Sequence, residues 1–380
     1  MNFSYPFLLK KKKSMLSKFR LGTLRQRHSL LSTMATTARS CSLSPEGSAS
    51  SLRVALCQLT VTDNKQTNLK TASKLIAEAS KVHKADMVIL PEMFNCPYGN
   101  DSFPKYAERC VSFGGNSHSS SSSDINKKKV THEDLMKIKN IENEMPSTYM
   151  LSNSAKSNGI YLIGGTISEQ EQEQEQEQEQ EQVGKGSKSG KKLYNTCLMF
   201  NPNGDLIGKY RKMHLFDIDI PNKIRFIESE TLSPGNGFTC IEVQKKQSIW
   251  KVGIGICYDI RFPELASIYR HHFQCDALVY PGAFNTTTGP LHWELLQRAR
   301  ALDNQCFVMA CSPAKNPNLS YPVWGHSAVT DPLGQVLATC DDKEHLLVCD
   351  IDLLQVRNTR DSIPISKQKR TDLYSLPAKL

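Results

Sequence analysis

A chain of 380 residues with 39% hydrophobic and 22% charged content is long enough for one large domain or two small ones and has the composition of a globular protein. The formal net charge of +9 sits almost wholly in residues 1–50, where Lys10, Lys11, Lys12, Lys13, Lys18, Arg20, Arg25, Arg27 and Arg39 face one acid, Glu46. The rest of the chain is near neutral, which excludes a basic footprint for nucleic acid, and no stretch approaches the roughly 20 apolar residues of a membrane span.

Residues 1–50 are rich in Ser, Lys and Arg, with apolar residues scattered among the cations. That is the composition of an organelle transit peptide. A mitochondrial destination is expected, with a plastid as the alternative. The segment reads also as a basic tail of a cytoplasmic protein, or as sequence upstream of a later start at Met15 or Met34. The twelve cysteines include no C-x-x-C pair and have no His-x-x-x-His partner. This argues against a structural zinc site and against a disulfide scaffold, and it suits a reducing interior in which a free thiolate can act.

Residues 53–59 form a first strand, and residues 64–83 have helical spacing, with Leu69, Ala72, Leu75, Ile76 and Ala79 on one face. Residues 86–90 are a short strand, apolar after Asp86, as expected where both faces are covered. Leu-Pro-Glu92 follows it. Residues 114–129 are a serine and lysine tract without periodicity, read as a surface insertion. Helical spacing resumes over 142–158, and residues 159–165 are a third strand. A Glu-Gln repeat over 169–182 runs into a Gly, Ser and Lys stretch; it has no apolar face, so 169–190 reads as a second solvated insertion.

Residues 193–200 and 205–212 pair as a hairpin across Asn201-Pro-Asn-Gly204. Further strands are expected at 238–243, 250–257, 277–280 and 306–311, a helix at 293–304, a second hairpin at 326–339 and a last strand at 346–350. Strands alternate with helices and hairpins without a linker of domain-boundary type. The expectation is a single α/β domain over 51–375 with a two-layer β core.

The run Val252-Gly-Ile-Gly-Ile-Cys257-Tyr-Asp-Ile-Arg-Phe-Pro-Glu264 reads as a buried strand, a sharp turn and a helix opened by Pro263. A cysteine at such a junction is held rigidly, and the backbone N–H groups after it can donate to a developing negative charge. It reads equally as a small buried hydrophobe. Three more residues stand at strand ends or in loops: Glu92, Lys212 and Glu228. Taken singly, Glu92 is a helix-entry acid, Lys212 one cation of a solvated strand, and Glu228 an exposed acid.

Together they form a pattern. Ile89-Leu-Pro-Glu92, Tyr210-Arg-Lys212-Met-His-Leu-Phe and Gly253-Ile-Gly-Ile-Cys257-Tyr-Asp-Ile-Arg-Phe-Pro-Glu264 resemble, in order, the glutamate, lysine and cysteine motifs of the nitrilase superfamily of carbon–nitrogen hydrolases. The runs His214-Leu-Phe-Asp-Ile-Asp-Ile-Pro221, Glu230-Thr-Leu-Ser-Pro-Gly235, Pro281-Gly-Ala-Phe-Asn-Thr-Thr-Thr-Gly-Pro-Leu-His-Trp-Glu294 and the tail around Arg370-Thr-Asp-Leu-Tyr374 resemble its ω-amidase branch.

The resemblance implies an αββα sandwich that associates as a homodimer, with no cofactor and no metal. It implies a hydrolase of linear amide bonds acting on a small molecule, an α-keto acid ω-amide such as α-ketoglutaramate or α-ketosuccinamate. The implied roles are Cys257 as nucleophile, Glu92 as general base and acid, and Lys212 with the Tyr258 N–H as oxyanion partners. Glu228 would orient the base, the lysine or the substrate. The distal carboxylate of such a substrate needs a clamp, for which Arg261, Tyr98 and Thr287 are candidates. A deaminated-glutathione amidase, a nitrilase and a catalytically dead scaffold on the same fold remain alternatives.

Overall fold

The computed structural model describes residues 49–113, 129–171, 192–222 and 224–375, so the basic segment and most of both low-complexity stretches lie outside the described residues. Strand β1 (Ser51–Gln58) illustrates the local logic. Leu52, Val54 and Leu56 enter one core, while Ala55 and Cys57 enter another. Both faces are buried from Val54 onward, which is why residues 54–57 read as a continuous apolar run.

Among the described residues, β1 joins an eight-stranded sheet with β2 (Met87–Ile89), β3 (Glu108–Arg109), β4 (Tyr161–Ile163), β5 (Ile167–Gln170), β6 (Leu193–Phe200), β7 (Leu206–Arg211) and β16 (His345–Asp352). The order is β16-β1-β2-β4-β6-β5-β3, with β7 paired to β6. A two-stranded ribbon pairs β8 (Asp217–Ile220) with β9 (Ile224–Ile227). The second large sheet runs, in order, β10 (Cys240–Lys245), β11 (Ser248–Ile254), β12 (Ala277–Pro281), β13 (Phe307–Cys311), β14 (Ala328–Thr330) and β15 (Val336–Thr339). Its central pairs, β11–β12 and β12–β13, are parallel.

Helix α1 (Lys65–Lys81) begins where the Asn64 side chain accepts the Thr67 N–H at 2.9 Å. Its Leu69, Ala72, Leu75, Ile76 and Ala79 pack with Leu151 and Ala155 of α2 (Pro146–Asn158) on the outer face of the first sheet. Each buried leucine or isoleucine of this stripe contributes about 1.5–3 kcal/mol relative to exposure. On the opposite side, Leu265, Ala266 and Tyr269 of α3 (Pro263–His271) and Trp293 and Ala301 of α4 (Gly289–Asn304) cover the second sheet. The sheets meet directly: the Cys311 thiol lies 3.4 Å from the Ile89 carbonyl oxygen and 3.6 Å from that of Cys57. The layers are helix, sheet, sheet, helix, the expected αββα sandwich.

Four expectations need correction. The helix over 142–158 is broken: a short turn over Ile141–Glu144 stops at Met145, and Pro146, which has no N–H, starts α2 afresh. The second insertion does not begin at residue 169. Glu169 and Gln170 complete β5, and Glu169 is buried among Lys209, Arg211 and Thr196, the last at 2.5 Å. The first insertion ends before Lys129, whose ammonium pairs with Asp205 at 3.0 Å. The strand ahead of Cys257 stops at Ile254, and a 3₁₀ turn over Cys257–Arg261 precedes α3. The β8–β9 ribbon and helix α5 (Leu353–Ser362) were not anticipated as elements. The eleven described cysteines are free thiols.

Candidate active site

The site is built at the ends of strands from both sheets. Glu92 stands just past β2, in a turn whose next residue, Met93, has φ 48°. Lys212 follows β7 directly, and its N–H donates to the Asn195 carbonyl at 2.9 Å. Cys257 opens the turn after β11 with φ 46°. A left-handed conformation at a residue with a Cβ costs roughly 1–3 kcal/mol and persists only where surrounding contacts impose it. Here the glycines explain the fit: a Cβ at Gly255 would meet the Tyr280 ring at 2.5 Å, and one at Gly282 would lie 3.3 Å from the Cys257 Cα.

Glu92, Lys212 and Glu228 are fully buried, and Cys257 is 4% exposed. The Lys212 ammonium sits between the two carboxylates, 3.0 Å from Glu92 Oε1 and 2.8 Å from Glu228 Oε2. The Cys257 thiol faces the Glu92 carboxylate. The Ala283 N–H donates to Glu92 Oε2 at 2.8 Å and also faces the thiol. Glu228, in a 3₁₀ turn after β9, accepts the Phe216 N–H at 2.6 Å and the Tyr98 hydroxyl at 3.0 Å.

Burial pushes the Glu92 carboxyl above the usual carboxylate range; Lys212 pulls it down and Glu228 pushes it further up. Burial pushes the Cys257 thiol well above its usual value, Glu92 adds to this, and Lys212 opposes it. Burial alone would lower the Lys212 ammonium, but Glu228 and Glu92 reverse that and hold it well above its usual range. The resting cluster is therefore a neutral thiol beside a carboxylate of raised proton affinity, with one fixed cation. Such a group can move a proton between sulfur and carboxylate while the cation meets a developing oxyanion.

The structure brings Glu92, Lys212, Cys257, Glu228 and Tyr98 into one contact network. The Tyr258 N–H lies in the first turn of the 3₁₀ segment, where no acceptor within the helix is available. Arg261 ends that turn. Its guanidinium packs 5.4 Å from the Tyr258 ring centroid and 4.8 Å from that of Phe284, and no carboxylate among the described residues pairs with it. Thr287 lies in a loop capped by the Asn285 side chain, and no hydrogen bond among the described residues joins it to the cluster.

Sequence reasoning missed three residues. Asn195 donates to Glu92 Oε1 at 2.8 Å from the middle of a wholly buried strand, where an amide has to find partners. Tyr321 donates to the Ala283 carbonyl at 3.0 Å and packs its ring, tilted, with its centroid 4.7 Å from that of Tyr98. Asp259, inside the cysteine motif, accepts the Ile256 N–H at 2.8 Å and fixes the turn. An aromatic cluster of Tyr98, Phe216, Phe226, Tyr258 and Tyr321, contributed partly by the unanticipated ribbon, packs around the site.

A family model for carbon-nitrogen hydrolases matches residues 53–361. The omega-amidase NIT2 of Mus musculus is 46% identical over 330 residues, covering 87% of this chain and 99% of the relative. The chloroplastic omega-amidase of Arabidopsis thaliana is 44% identical over 323 residues, covering 85% of this chain and 73% of that one. Among solved structures, Saccharomyces cerevisiae Nit3, described as a member of branch 10 of the nitrilase superfamily, matches with a TM-score of 0.66 at 37% identity, over 84% of this chain and 97% of that one. The chain belongs to the carbon–nitrogen hydrolase family, in the omega-amidase branch of the nitrilase superfamily.

Proposed function

We propose that this protein is an ω-amidase that hydrolyses the terminal amide of α-keto acid ω-amides, α-ketoglutaramate and α-ketosuccinamate, to the dicarboxylate and ammonia. The observation that carries the reading is the fully buried Lys212 held between Glu92 and Glu228, with the buried Cys257 thiol facing Glu92.

Cys257 Sγ attacks the amide carbon as Glu92 takes the thiol proton. The carbonyl oxygen becomes an oxyanion facing the Lys212 ammonium and the Tyr258 N–H. Glu92 returns the proton to the amide nitrogen, the C–N bond breaks, and ammonia leaves a thioester on Cys257. Water then attacks the thioester, Glu92 takes its proton, and the C–S bond breaks. The proton passes back to sulfur, and the product departs as the carboxylic acid, which gives its remaining proton to water or to the released ammonia. Glu228 holds Lys212 and Tyr98 in place. Arg261 receives the carboxylate at the far end of the substrate, the role its uncompensated charge supports.

The protein acts as a homodimer. Leu291 and Leu295, four residues apart on α4, are 67% and 62% exposed, an apolar stripe that a second copy would cover. Residues 1–50 serve as an organelle leader, mitochondrial or, as the name of the Arabidopsis relative suggests, plastidic.

Ammonia release by the chain from residue 50 onward tests the reading. The substrates are α-ketoglutaramate, α-ketosuccinamate, deaminated glutathione and an aliphatic nitrile, each given to wild type and to Cys257→Ala. Release from the keto-amides, lost in the variant while the fold is kept, is expected. Preference for deaminated glutathione or the nitrile would move the substrate, and no release from any would leave a scaffold.

A further inference from the structure

Arg261 is an unusual cation. Burial lowers its proton affinity, and the approach of Cys257 raises it, which marks the guanidinium as a neighbour of the nucleophile. Its Nε is buried and meets no acceptor. Its hydrogen-bond partner is His292 of α4, with Arg261 Nη1 3.2 Å from His292 Nδ1.

The chemistry of this pair determines the state of the imidazole. A guanidinium only donates, so Nδ1 must accept, and the ring must be neutral with its proton on Nε2. A protonated ring would lose the lone pair and set a second positive charge against the first. A neutral acceptor has one consequence that a carboxylate would not: it orients the guanidinium without cancelling its charge. The orphaned Nε and the full positive charge are left for a ligand.

Helix α4 supports the arrangement at a second point. Arg300, two turns further along the helix, donates to the Ile260 carbonyl at 2.8 Å and to the Arg261 carbonyl at 3.1 Å. One helix therefore holds the backbone of the nucleophile turn through Arg300 and the last side chain of that turn through His292. Tyr258 and Phe284 confine the guanidinium on its apolar faces.

We infer that His292 is a positioning residue that holds Arg261, by a neutral hydrogen bond, in the orientation that receives the distal carboxylate of the substrate. The inference rests on the ω-amidase reading for the identity of that substrate. His292 touches neither the reacting amide nor the triad. Its effect falls on the binding of carboxylate-bearing ligands.

The test compares wild type, His292→Phe and His292→Asn, two substitutions at a half-buried helix position. Phe keeps a planar ring and removes the acceptor. Asn places Oδ1 near the former Nδ1. KM and kcat are measured with α-ketoglutaramate, and binding of glutarate, a non-reacting dicarboxylate, is measured by calorimetry on the same proteins. The expected result is a rise of about tenfold in both KM and the glutarate Kd for His292→Phe, the scale of a lost hydrogen bond to a charged group, with kcat within about twofold. His292→Asn is expected to recover both. A fall in kcat at unchanged KM, or no recovery with Asn, would overturn the inference while leaving the ω-amidase activity of the wild type standing. If the wild type releases no ammonia from the keto-amide, the ω-amidase reading fails, and glutarate binding alone decides. Tight binding lost with Phe and regained with Asn upholds the positioning role, and absence of binding to the wild type ends it.

Discussion

Tyr210 donates its hydroxyl to Asp259 Oδ2 across 2.8 Å, tying the strand that leads to Lys212 to the turn that carries Cys257. Asp259 is fully buried and also accepts from the Ile256 N–H, the His214 N–H and His214 Nδ1. One carboxylate thus fixes the separation of oxyanion partner and nucleophile. Tyr210→Phe keeps the ring and removes the link. Leaving part of a buried acceptor unsatisfied costs about 1–3 kcal/mol. The expected outcome is an unfolding free energy lowered to that extent in urea titration, and a lower kcat at a KM close to wild type. A wild-type kcat would show that the turn is set without this bond.

The acid limb of activity follows from the charges around Glu92. As general base Glu92 must be unprotonated, and burial raises its proton affinity. The acid limb of kcat/KM should therefore lie above the ordinary glutamate pKa of about 4.3. Glu228 is one of the groups pushing Glu92 up. Glu228→Gln removes that negative charge, so the proton on Glu92 becomes easier to lose and the limb should move to lower pH, whatever happens to the height of the profile. A limb that stays in place, measured from pH 4 to 8 on both proteins, would show that Glu228 does not act on Glu92 through charge.

Glu169 shows where composition misleads. It opens a Glu-Gln repeat, yet it lies in β5, bonded to Thr196 Oγ1, Lys209 and Arg211. Although burial opposes it, Arg211 and Lys209 hold the Glu169 carboxyl below its usual range. A lowered folded value stabilises the protein above the unfolded pKa, and that stability is lost as pH falls through the folded value. Glu169→Gln should therefore destabilise at pH 7 by about 3 kcal/mol, the scale of breaking a buried ion pair. The gap to wild type should narrow as the carboxylate range is titrated. Replacing residues 172–190 with a short Gly-Ser turn should leave stability and turnover close to wild type, because the Glu171 N–H already meets the Lys192 carbonyl at 3.0 Å and the two strands are paired up to that point. Equal damage from both changes, read by thermal melting, would place the boundary elsewhere.

The difference between what was legible and what was not follows from how local each signal is. Glu92, Lys212 and Cys257 stand in short motifs that record their own strand ends. The layers were legible because strands buried on both faces are apolar where they are covered, as β13 is throughout and β1 is over residues 54–57. Glu169 and Asn195 owe their settings to strands distant in sequence, and nothing within five residues of either reveals a partner. The motif marks Lys212 but not its burial: the cationic run around it reads as solvated until Glu228 and Glu92 close over the ammonium. The ribbon was readable in principle from the Asp-Ile-Asp-Ile alternation of β8, a period-2 pattern in a stretch short enough to pass for a loop.

The exposed leucines of α4 lead to the last expectation. Leu291 and Leu295 stand on one side of a helix whose other side buries Trp293 and Ala301. An apolar stripe facing water on an otherwise amphipathic helix is the pattern of a surface covered in the assembled state. Leu295→Glu puts a charge at its centre, and an exposed helical position tolerates glutamate at little intrinsic cost. Sedimentation velocity at micromolar concentration should give a dimer for wild type and a monomer for the variant, with unchanged far-UV circular dichroism. Glu92, Lys212 and Cys257 all come from one chain, so the monomer should keep its turnover with α-ketoglutaramate. A wild type that sediments as a monomer would remove the dimer. A monomeric variant that has lost its activity would mean that the second copy holds α4 against the turn carrying Cys257, through the Arg300 bonds to Ile260 and Arg261.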